Sequence, residues 1–273
     1  MGKTKPRHWW LGALVLTVTL GVQCADAGTG WIMTSCRLTR RANDDPIVFP
    51  RQVGVSHLHQ FFGNLFGGVS PAMATYFSMT SGLTTCQQND RAGYWVPALW
   101  QDGVQVPPAD DSRGIRIYYR RRVSLPVRSF PPDFRLVARQ KYGREIYWGC
   151  SDNSTGKLTA PASCATGRIT LHIGFPDCWN GLRRTGNEDT PNLAYGSSKG
   201  CPSTNPILLP RVIFRLEYPV GTTTGTITLG PMPDGMFLPA SAAHGDFWNT
   251  WVQADLDRLV RDCLNADVDC GKL

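Results

Sequence analysis

Cysteines constrain the fold of this chain more than any other residue type. Nine occur in 273 residues, and one of them, Cys24, lies in an N-terminal apolar segment. The other eight are Cys36, Cys86, Cys150, Cys164, Cys178, Cys201, Cys263 and Cys270. None has a partner at the two-residue spacing of zinc-binding or thioredoxin motifs, so the even number predicts four disulfides and an oxidising compartment. We predict Cys150–Cys164 and Cys263–Cys270 as loop-closing pairs, and the sequence leaves the other pairings open.

The first 27 residues have the pattern of a secretory signal. A basic start at residues 3–7 precedes an apolar stretch from Trp9 to Val22, and Ala25-Asp26-Ala27 has the small residues of a signal-peptidase site. The apolar stretch is shorter than the roughly 20 residues that a membrane span requires. A lipoprotein signal ending at Cys24 is the weaker alternative. We expect residues 28–273 to form the mature protein, secreted to the extracellular space or periplasm and without a membrane segment.

Short strands separated by turns are predicted for most of the mature chain. The sequence contains 28 glycines and 20 prolines, yet 10% of its residues are aromatic, which is enough for a substantial core. Short β-branched or aromatic segments bounded by glycine or proline predict strands at Arg116–Arg120, Phe134–Ala138, Arg168–Ile173, Val212–Tyr218 and Thr226–Leu229. No composition break divides residues 28–273. We therefore expect a single-domain, mainly-β fold, a β-sandwich or jelly-roll-like structure with long loops held by disulfides.

One segment departs from the strand pattern. From Asp246 onward, apolar residues recur near helical spacing at Phe247, Trp251, Leu256, Leu259, Val260 and Cys263, with charged residues between them. This predicts a C-terminal amphipathic helix packed on the sheet. Asp246 or Asn249 would cap its start, because their side chains accept hydrogen bonds from the free backbone N–H groups there.

The charge distribution argues against a nucleic-acid partner. The formal net charge is +7, and the densest basic cluster is residues 116–122. In residues 115–120, apolar Ile115 and Ile117 alternate with Arg116 and Tyr118, as expected for a strand with one wet face. We expect a monomer that binds neither nucleic acid nor membranes.

Histidines occur in two short motifs with the same spacing. One is His57-Leu58-His59, and the other is His244-Gly245-Asp246, where a carboxylate takes the second position. In an extended chain, residues two apart point to the same face. The two pairs would supply acid, base and orienting group for proton transfer, or three nitrogens and an oxygen for a metal ion. Buried polar residues that only tie loops together are the alternative, which we favour for the fourth histidine, His172.

A further carboxylate, Asp177, stands between Pro176 and Cys178 in a segment that ends in Asn180-Gly181, a turn signal. Held beside a disulfide cysteine, it would be rigid and partly desolvated, and these conditions raise a carboxyl pKa toward that of a general acid. Capping the turn is the structural alternative.

Aromatic residues accompany the acidic positions. Asp90, Tyr94, Trp95, Trp179 and Trp248 form our candidate substrate-binding set, because aromatic faces beside polar groups suit a sugar ring and its hydroxyls. Core packing is the alternative use of each ring.

Five segments occur in an order that resembles the DUF1996 family. They are residues 57–63 (HLHQFFG), 93–99 (GYWVPAL), 175–181 (FPDCWNG), 201–210 with Cys201-Pro202-Ser203 and Leu209-Pro210, and 244–249 (HGDFWN). The resemblance extends from about His57 to Cys263. It implies a secreted protein of a fungal or bacterial type, sometimes joined to carbohydrate-binding WSC modules, but it implies no specific activity.

The leading hypothesis is a secreted carbohydrate-active protein, a glycoside hydrolase of a cell-wall or matrix polysaccharide. Asp177 and Asp246 would act as acid and as base or nucleophile. His57, His59 and His244 would orient them or the substrate, and no cofactor is required. The alternative is a non-catalytic protein that binds wall polysaccharide or serves a structural role. A third hypothesis is a metal-dependent enzyme that uses the three histidines with Asp246.

Overall fold

The computed structural model describes residues 1–2, 30–110, 114–139, 145–150, 153–187 and 189–271. The expected signal at residues 1–27 lies outside this part of the chain except for its first two residues. No helix within the described ranges has the length and apolarity to cross a bilayer.

Strands dominate the described residues. In chain order they are β1 (Trp31–Ser35), β2 (Leu38–Ala42), β3 (His59–Gly63), β4 (Gly93–Pro97), β5 (Leu99–Gln101), β6 (Val104–Val106), β7 (Ile115–Arg120), β8 (Arg135–Arg139), β9 (Ile146–Cys150), β10 (Asn153–Lys157), β11 (Arg168–Gly174), β12 (Cys178–Trp179), β13 (Thr185–Asn187), β14 (Leu193–Ala194), β15 (Ile207–Leu208), β16 (Arg211–Pro219), β17 (Ile227–Leu229), β18 (Leu238–Pro239), β19 (His244–Trp248) and β20 (Asp269–Cys270).

Helical segments are short. Among the described residues the α-helices are α1 (Tyr76–Thr80) and α2 (Gln253–Leu259), and a π-helical turn at Val260–Leu264 continues α2. Single 3-10 turns lie at Phe66–Gly68, Pro71–Met73, Gln87–Asn89 and Ala240–Ala242.

Two large sheets pack face to face. One has seven strands in the order β10-β9-β11-β16-β7-β1-β20, and the other has six in the order β13-β8-β19-β4-β3-β2. Aromatic rings of the two sheets meet between them: Tyr94 lies 5.4 Å from Phe214, and Tyr119 lies 6.1 Å from Phe247, measured between ring centroids. Smaller sheets, β14-β12-β15 and β18-β17-β5-β6, flank this core. The fold is the mainly-β sandwich that the sequence predicts.

All five strands predicted from the sequence are present, with ends that differ by a residue or two. In β7 the alternation reflects burial, because Ile115, Ile117 and Tyr119 are buried while Arg120 on the opposite face is exposed. The period of two therefore places one face of the strand on the core.

Four disulfides join the eight cysteines in the described part of the chain: Cys36–Cys86, Cys150–Cys164, Cys178–Cys201 and Cys263–Cys270. Both predicted pairs are confirmed. The Cys36–Cys86 bridge connects the residue after β1 to the loop that leads into β4, and Cys178–Cys201 holds the small β14-β12-β15 sheet to its neighbouring loop. These bridges fasten long connections between strands, as expected for loop-rich secreted domains.

The predicted start of the C-terminal helix is wrong. His244–Trp248 form β19, a central strand that pairs with both β4 and β8. The helix begins at Gln253 after Val252, which makes no side-chain cap, and Asn249 instead donates to the carbonyl of Pro131. Phe247 packs between the two large sheets, and Trp248 packs with Trp95 in a second apolar cluster on the other face. Nearly all residues of β19 are therefore buried, and a run of buried residues does not show the period of a strand. The amphipathic helix itself is confirmed, with Leu256 and Leu259 buried.

Candidate functional site

The register of the six-stranded sheet brings the two histidine motifs together. His59 in β3 stands opposite Pro97 at the end of β4. On the other side of β4, Asp246 stands opposite Trp95, so that His244, two residues earlier, reaches the level of Pro97. Residues at one level of adjacent strands point to the same face. The two histidine rings therefore project on the same side of the sheet, across the end of β4.

Three imidazole rings meet at this place. The Nε2 atoms of His57 and His244 are 3.1 Å apart, and those of His59 and His244 are 3.4 Å apart. The rings of His57 and His59 lie 4.1 Å apart between centroids. The structure thus brings together the three predicted catalytic histidines from segments that are far apart in the sequence.

Backbone carbonyls fix the tautomers of two of these rings. The Nδ1 of His59 donates to the carbonyl of Asp44 at 2.8 Å, and the Nδ1 of His244 donates to the carbonyl of Ala242 at 3.0 Å. Because a carbonyl oxygen only accepts, each Nδ1 carries a proton, and each neutral ring presents a lone pair at Nε2.

Burial keeps the imidazoles uncharged. Burial, with a smaller contribution from the neighbouring His244, lowers the pKa of His57 to about 3. It also lowers the pKa of His244 to about 4, although the bond to Ala242 opposes this shift and the charge of Arg139 adds to it. The pKa of the fully buried His59 lies well below its ordinary value for the same reason. All three rings are therefore neutral near pH 7 and have electron pairs to offer.

Two carboxyl groups lie against the imidazoles. Asp246 is 0% exposed, and neither of its oxygens has a hydrogen-bond partner among the described residues. Its Oδ2 lies 4.0 Å from Nε2 of His244. Asp45, His59 and Asp246 each place one polar atom within 4.8 Å of the other two. Burial raises the pKa of Asp246 well above its ordinary value, with a further contribution from the charge of Asp45.

Asp45 was not singled out by its sequence, and its environment differs from that of Asp246. Its Oδ1 accepts from the backbone N–H groups of Ile47 and Val48, both at 2.9 Å. Burial raises its pKa, while these two bonds and the charge of Arg139 lower it. Asp45 follows Asp44 in a loop before the histidine motif, and no spacing rule connects this loop to β19.

The cluster opens into a cavity of about 350 Å³. Its polar wall consists of Asp45, Ser56, His57, Arg139, Ser241, His244 and Asp246, and its apolar wall includes Val48, Phe49 and Val137. His59 is 0% exposed and lies behind this wall. A small molecule in the cavity would therefore meet two imidazoles, two carboxyl groups and a guanidinium.

Asp177 lies in a different environment. Its Oδ2 accepts from Nε of Arg122 at 2.9 Å, and its Oδ1 accepts from the backbone N–H of Gly196 at 2.8 Å. The side chain is 0% exposed, and it does not line the cavity of His57 and His244. The structure therefore does not bring Asp177 together with the other four predicted catalytic residues.

Most of the candidate substrate-binding residues are covered. Asp90, Tyr94 and Trp95 are 0% exposed and Trp248 is 1% exposed, so the three rings have no free face for a sugar in this structure. Asp90 accepts from the hydroxyl of Tyr94 at 2.5 Å. Trp179 is half-buried and packs edge-on against Phe134.

A different aromatic pair consists of Trp100 in β5 and Phe237, which follows a loop that contacts the histidine motif. Leu58 donates through its backbone N–H to the carbonyl of Pro231 at 2.8 Å, which holds the loop that leads to Phe237 against the histidine motif. Phe237 is 39% exposed, and its ring contacts Trp100 edge-on at 5.2 Å. Neither ring stands beside an acidic residue in sequence in a way that marks it as part of a site. Only the fold, which brings Trp100 and Phe237 into contact, identifies them as a pair.

The protein is therefore a disulfide-bonded β-sandwich whose candidate site is a cavity lined by histidine and carboxylate side chains. The chain belongs to the family described as a domain of unknown function (DUF1996), whose model matches residues 45–251. That span begins at Asp45 and includes every residue of the cavity wall. No curated protein matches the chain. No solved structure matches it either.

Proposed function

We propose that this protein is a secreted carbohydrate-active enzyme that hydrolyses a polysaccharide in the cavity of His57, His244, Asp45 and Asp246. One observation carries the proposal: imidazole and carboxyl groups from distant segments converge in an open cavity while both oxygens of Asp246 lack hydrogen-bond partners among the described residues. Structural polar clusters normally satisfy their buried members. A buried carboxyl group without a partner, at the wall of an open cavity, is explained by a ligand or reacting group that supplies the partner there.

The groups present match the needs of glycoside hydrolysis. The polar atoms of Asp45 and Asp246 lie within 4.8 Å of each other, a short separation that suits the retaining route. One carboxylate attacks the anomeric carbon as the glycosidic C–O bond breaks, and the other carboxyl group protonates the leaving oxygen. Water then cleaves the glycosyl–enzyme bond and gives its proton back to that second group. Asp45 and Asp246 supply the carboxyl groups for these two roles. His57 and His244, whose rings line the cavity, position the water and the sugar hydroxyls.

Two further features support a polysaccharide substrate. Four disulfides are typical of proteins that work outside the cytoplasm, where wall and matrix polysaccharides occur. The partly exposed ring of Phe237, in edge-on contact with Trp100, offers apolar surface of the kind on which a pyranose ring packs. In this proposal Phe237 and Trp100 replace the covered rings of Tyr94, Trp95 and Trp248 as the sugar-binding surface.

The test is release of reducing ends from a panel of wall glucans, chitosan and galactosaminoglycans. On a cleaved substrate, Asp246→Asn is expected to lower kcat/KM by about 10²–10⁴-fold, the usual contribution of a positioned acid or base. His172→Gln is the matched control, because His172 lies in β11 and stacks on Tyr147 at 4.4 Å, outside the cavity. Binding of a glycan without any release of reducing ends would favour the wall-binding alternative. Equal activity of Asp246→Asn and wild type would refute the proposed site.

A further inference from the structure

The distances from Nε2 of His244 to the Nε2 atoms of His57 and His59 match the spacing of ligands around one metal ion. For tetrahedral coordination with zinc-to-nitrogen bonds of about 2.0–2.1 Å, two ligand nitrogens are about 3.3–3.4 Å apart. The Nε2 of His244 lies 3.1 Å from that of His57 and 3.4 Å from that of His59. Each of the three rings offers a nitrogen within 4.8 Å of the other two.

The hydrogen bonds of the cluster point to a cation rather than to a closed polar network. With Nδ1 of both rings donating to carbonyls, the Nε2 atoms of His59 and His244 face each other as two acceptors. Two lone pairs at 3.4 Å repel and form no hydrogen bond. A cation between them converts this repulsion into attraction. Imidazoles that ligate metals through one nitrogen and donate to a backbone carbonyl through the other are the common arrangement in metal sites.

The neighbouring carboxyl groups supply the charge that a divalent ion requires. Asp246 is fully buried with no hydrogen-bond partner for either oxygen among the described residues, and within the same ranges the side chain of Asp45 accepts backbone hydrogen bonds through Oδ1. A buried carboxylate without a partner is strongly unfavourable unless a cation is near. Two carboxylates against a doubly charged ion leave the cluster close to neutral.

We propose that His57, His59 and His244 bind one divalent transition-metal ion of the zinc type through their Nε2 atoms, with Asp45 and Asp246 beside it. Imidazole with carboxylate is a ligand set that suits such ions, whereas magnesium and calcium prefer oxygen ligands. Binding of the ion stands on the geometry alone. Its part in catalysis rests on the proposed function: a water bound to the ion would attack the anomeric carbon of the glycosyl–enzyme intermediate, break its bond to the nucleophilic carboxylate, and pass its proton to the carboxylate that had protonated the leaving oxygen.

The experiment measures metal content directly. Protein purified without an affinity tag is treated with a chelator, dialysed against Zn²⁺, and assayed for bound zinc by elemental analysis. Wild type and His172→Gln are expected to bind one ion per chain, and His57→Gln and His244→Gln are expected to bind at least about tenfold more weakly. Loading with Co²⁺ gives a second readout, because tetrahedral Co²⁺ absorbs strongly in the visible and the two variants should lose this band.

Near-ultraviolet circular dichroism establishes that each variant is folded. His57 is the least buried of the three rings, so His57→Gln keeps the test decisive if His244→Gln does not fold. Failure of folded wild type to bind zinc, or equal binding by wild type and His57→Gln, would overturn the metal site. Zinc binding without glycan cleavage would uphold the metal site and refute the enzyme. Glycan cleavage by a chain that binds no zinc would uphold the enzyme and refute the metal site.

Discussion

Replacing Asp177 with alanine is expected to destabilise the fold by about 3–5 kcal/mol, the usual cost of removing one partner from a buried ion pair. The carboxylate is 0% exposed and accepts from Arg122 and from the backbone N–H of Gly196. Arg122 remains 24% exposed, so water replaces part of its lost contact. This places the expected cost near the lower end of the range, about 3 kcal/mol, or about 6–12 °C in melting temperature for a domain of this size.

The assay is equilibrium unfolding in urea with all disulfides intact. Asp177→Asn provides a graded comparison, because its amide oxygen still accepts from Gly196 while its NH₂ group faces the donor of Arg122; we expect a loss of about 1–3 kcal/mol. Replacement of a catalytic carboxylate usually has a different effect, because it lowers the stability of the fold only slightly or raises that stability. If Asp177→Ala unfolds within about 0.5 kcal/mol of wild type, the structural role argued from these contacts is wrong.

Three further outcomes are expected. Zinc at about a hundredfold excess over its dissociation constant should stabilise wild type by about 2.7 kcal/mol in calorimetric melting but leave His57→Gln unchanged, and an equal shift in both would contradict a site at His57. Burial raises the pKa of Asp90 to about 7, so the folded state retains a proton that the unfolded state releases near pH 4, and stability falls as pH rises through this window, by roughly 4 kcal/mol at most. Urea titrations across the window should show this loss in wild type, and the same slope in Asp90→Asn would exclude Asp90 as its cause. Mass spectrometry after alkylation without reduction should show no added alkyl group, whereas any addition would mean that a disulfide is missing.

Local patterns in the sequence were sufficient for the strands and for two disulfides. In β7 and β16 the alternation of apolar and polar residues is the direct result of one buried face, so it is visible without knowledge of the partner strand. Cys263 and Cys270 are close in sequence, and such neighbours pair without any long-range information. Cys36–Cys86 spans 50 residues, and only the fold brings its ends together.

β19 could not be recognised because its burial has a long-range cause. The strand lies between β4 and β8, and apart from His244 its residues are buried on both faces. The alternation that identifies a half-buried strand is therefore lost. The apolar residues that follow then extend the apparent helical spacing back to Asp246, well before the helix begins at Gln253.

The candidate site was likewise predictable only in part. A period of two predicted that His57 with His59, and His244 with Asp246, could share faces, because this depends on the local backbone alone. The meeting of the two pairs depends on β3 and β19 both flanking β4, which the sequence does not encode locally. Asp45 enters the cavity through a loop and was missed for this reason. Asp177 was predicted as a general acid because its carboxylate would be rigid and partly desolvated. A carboxylate in a structural ion pair has the same two properties.

The most direct measurement is an anomalous difference map from a crystal of the chelator-treated protein soaked in zinc, with data recorded on both sides of the zinc absorption edge. A single strong peak is expected at about 2.0–2.1 Å from the Nε2 atoms of His57, His59 and His244. The carboxyl groups of Asp45 and Asp246 should lie beside it. A map with no peak among these three rings, at zinc concentrations that saturate surface sites, would contradict the assignment of this cluster as a metal site.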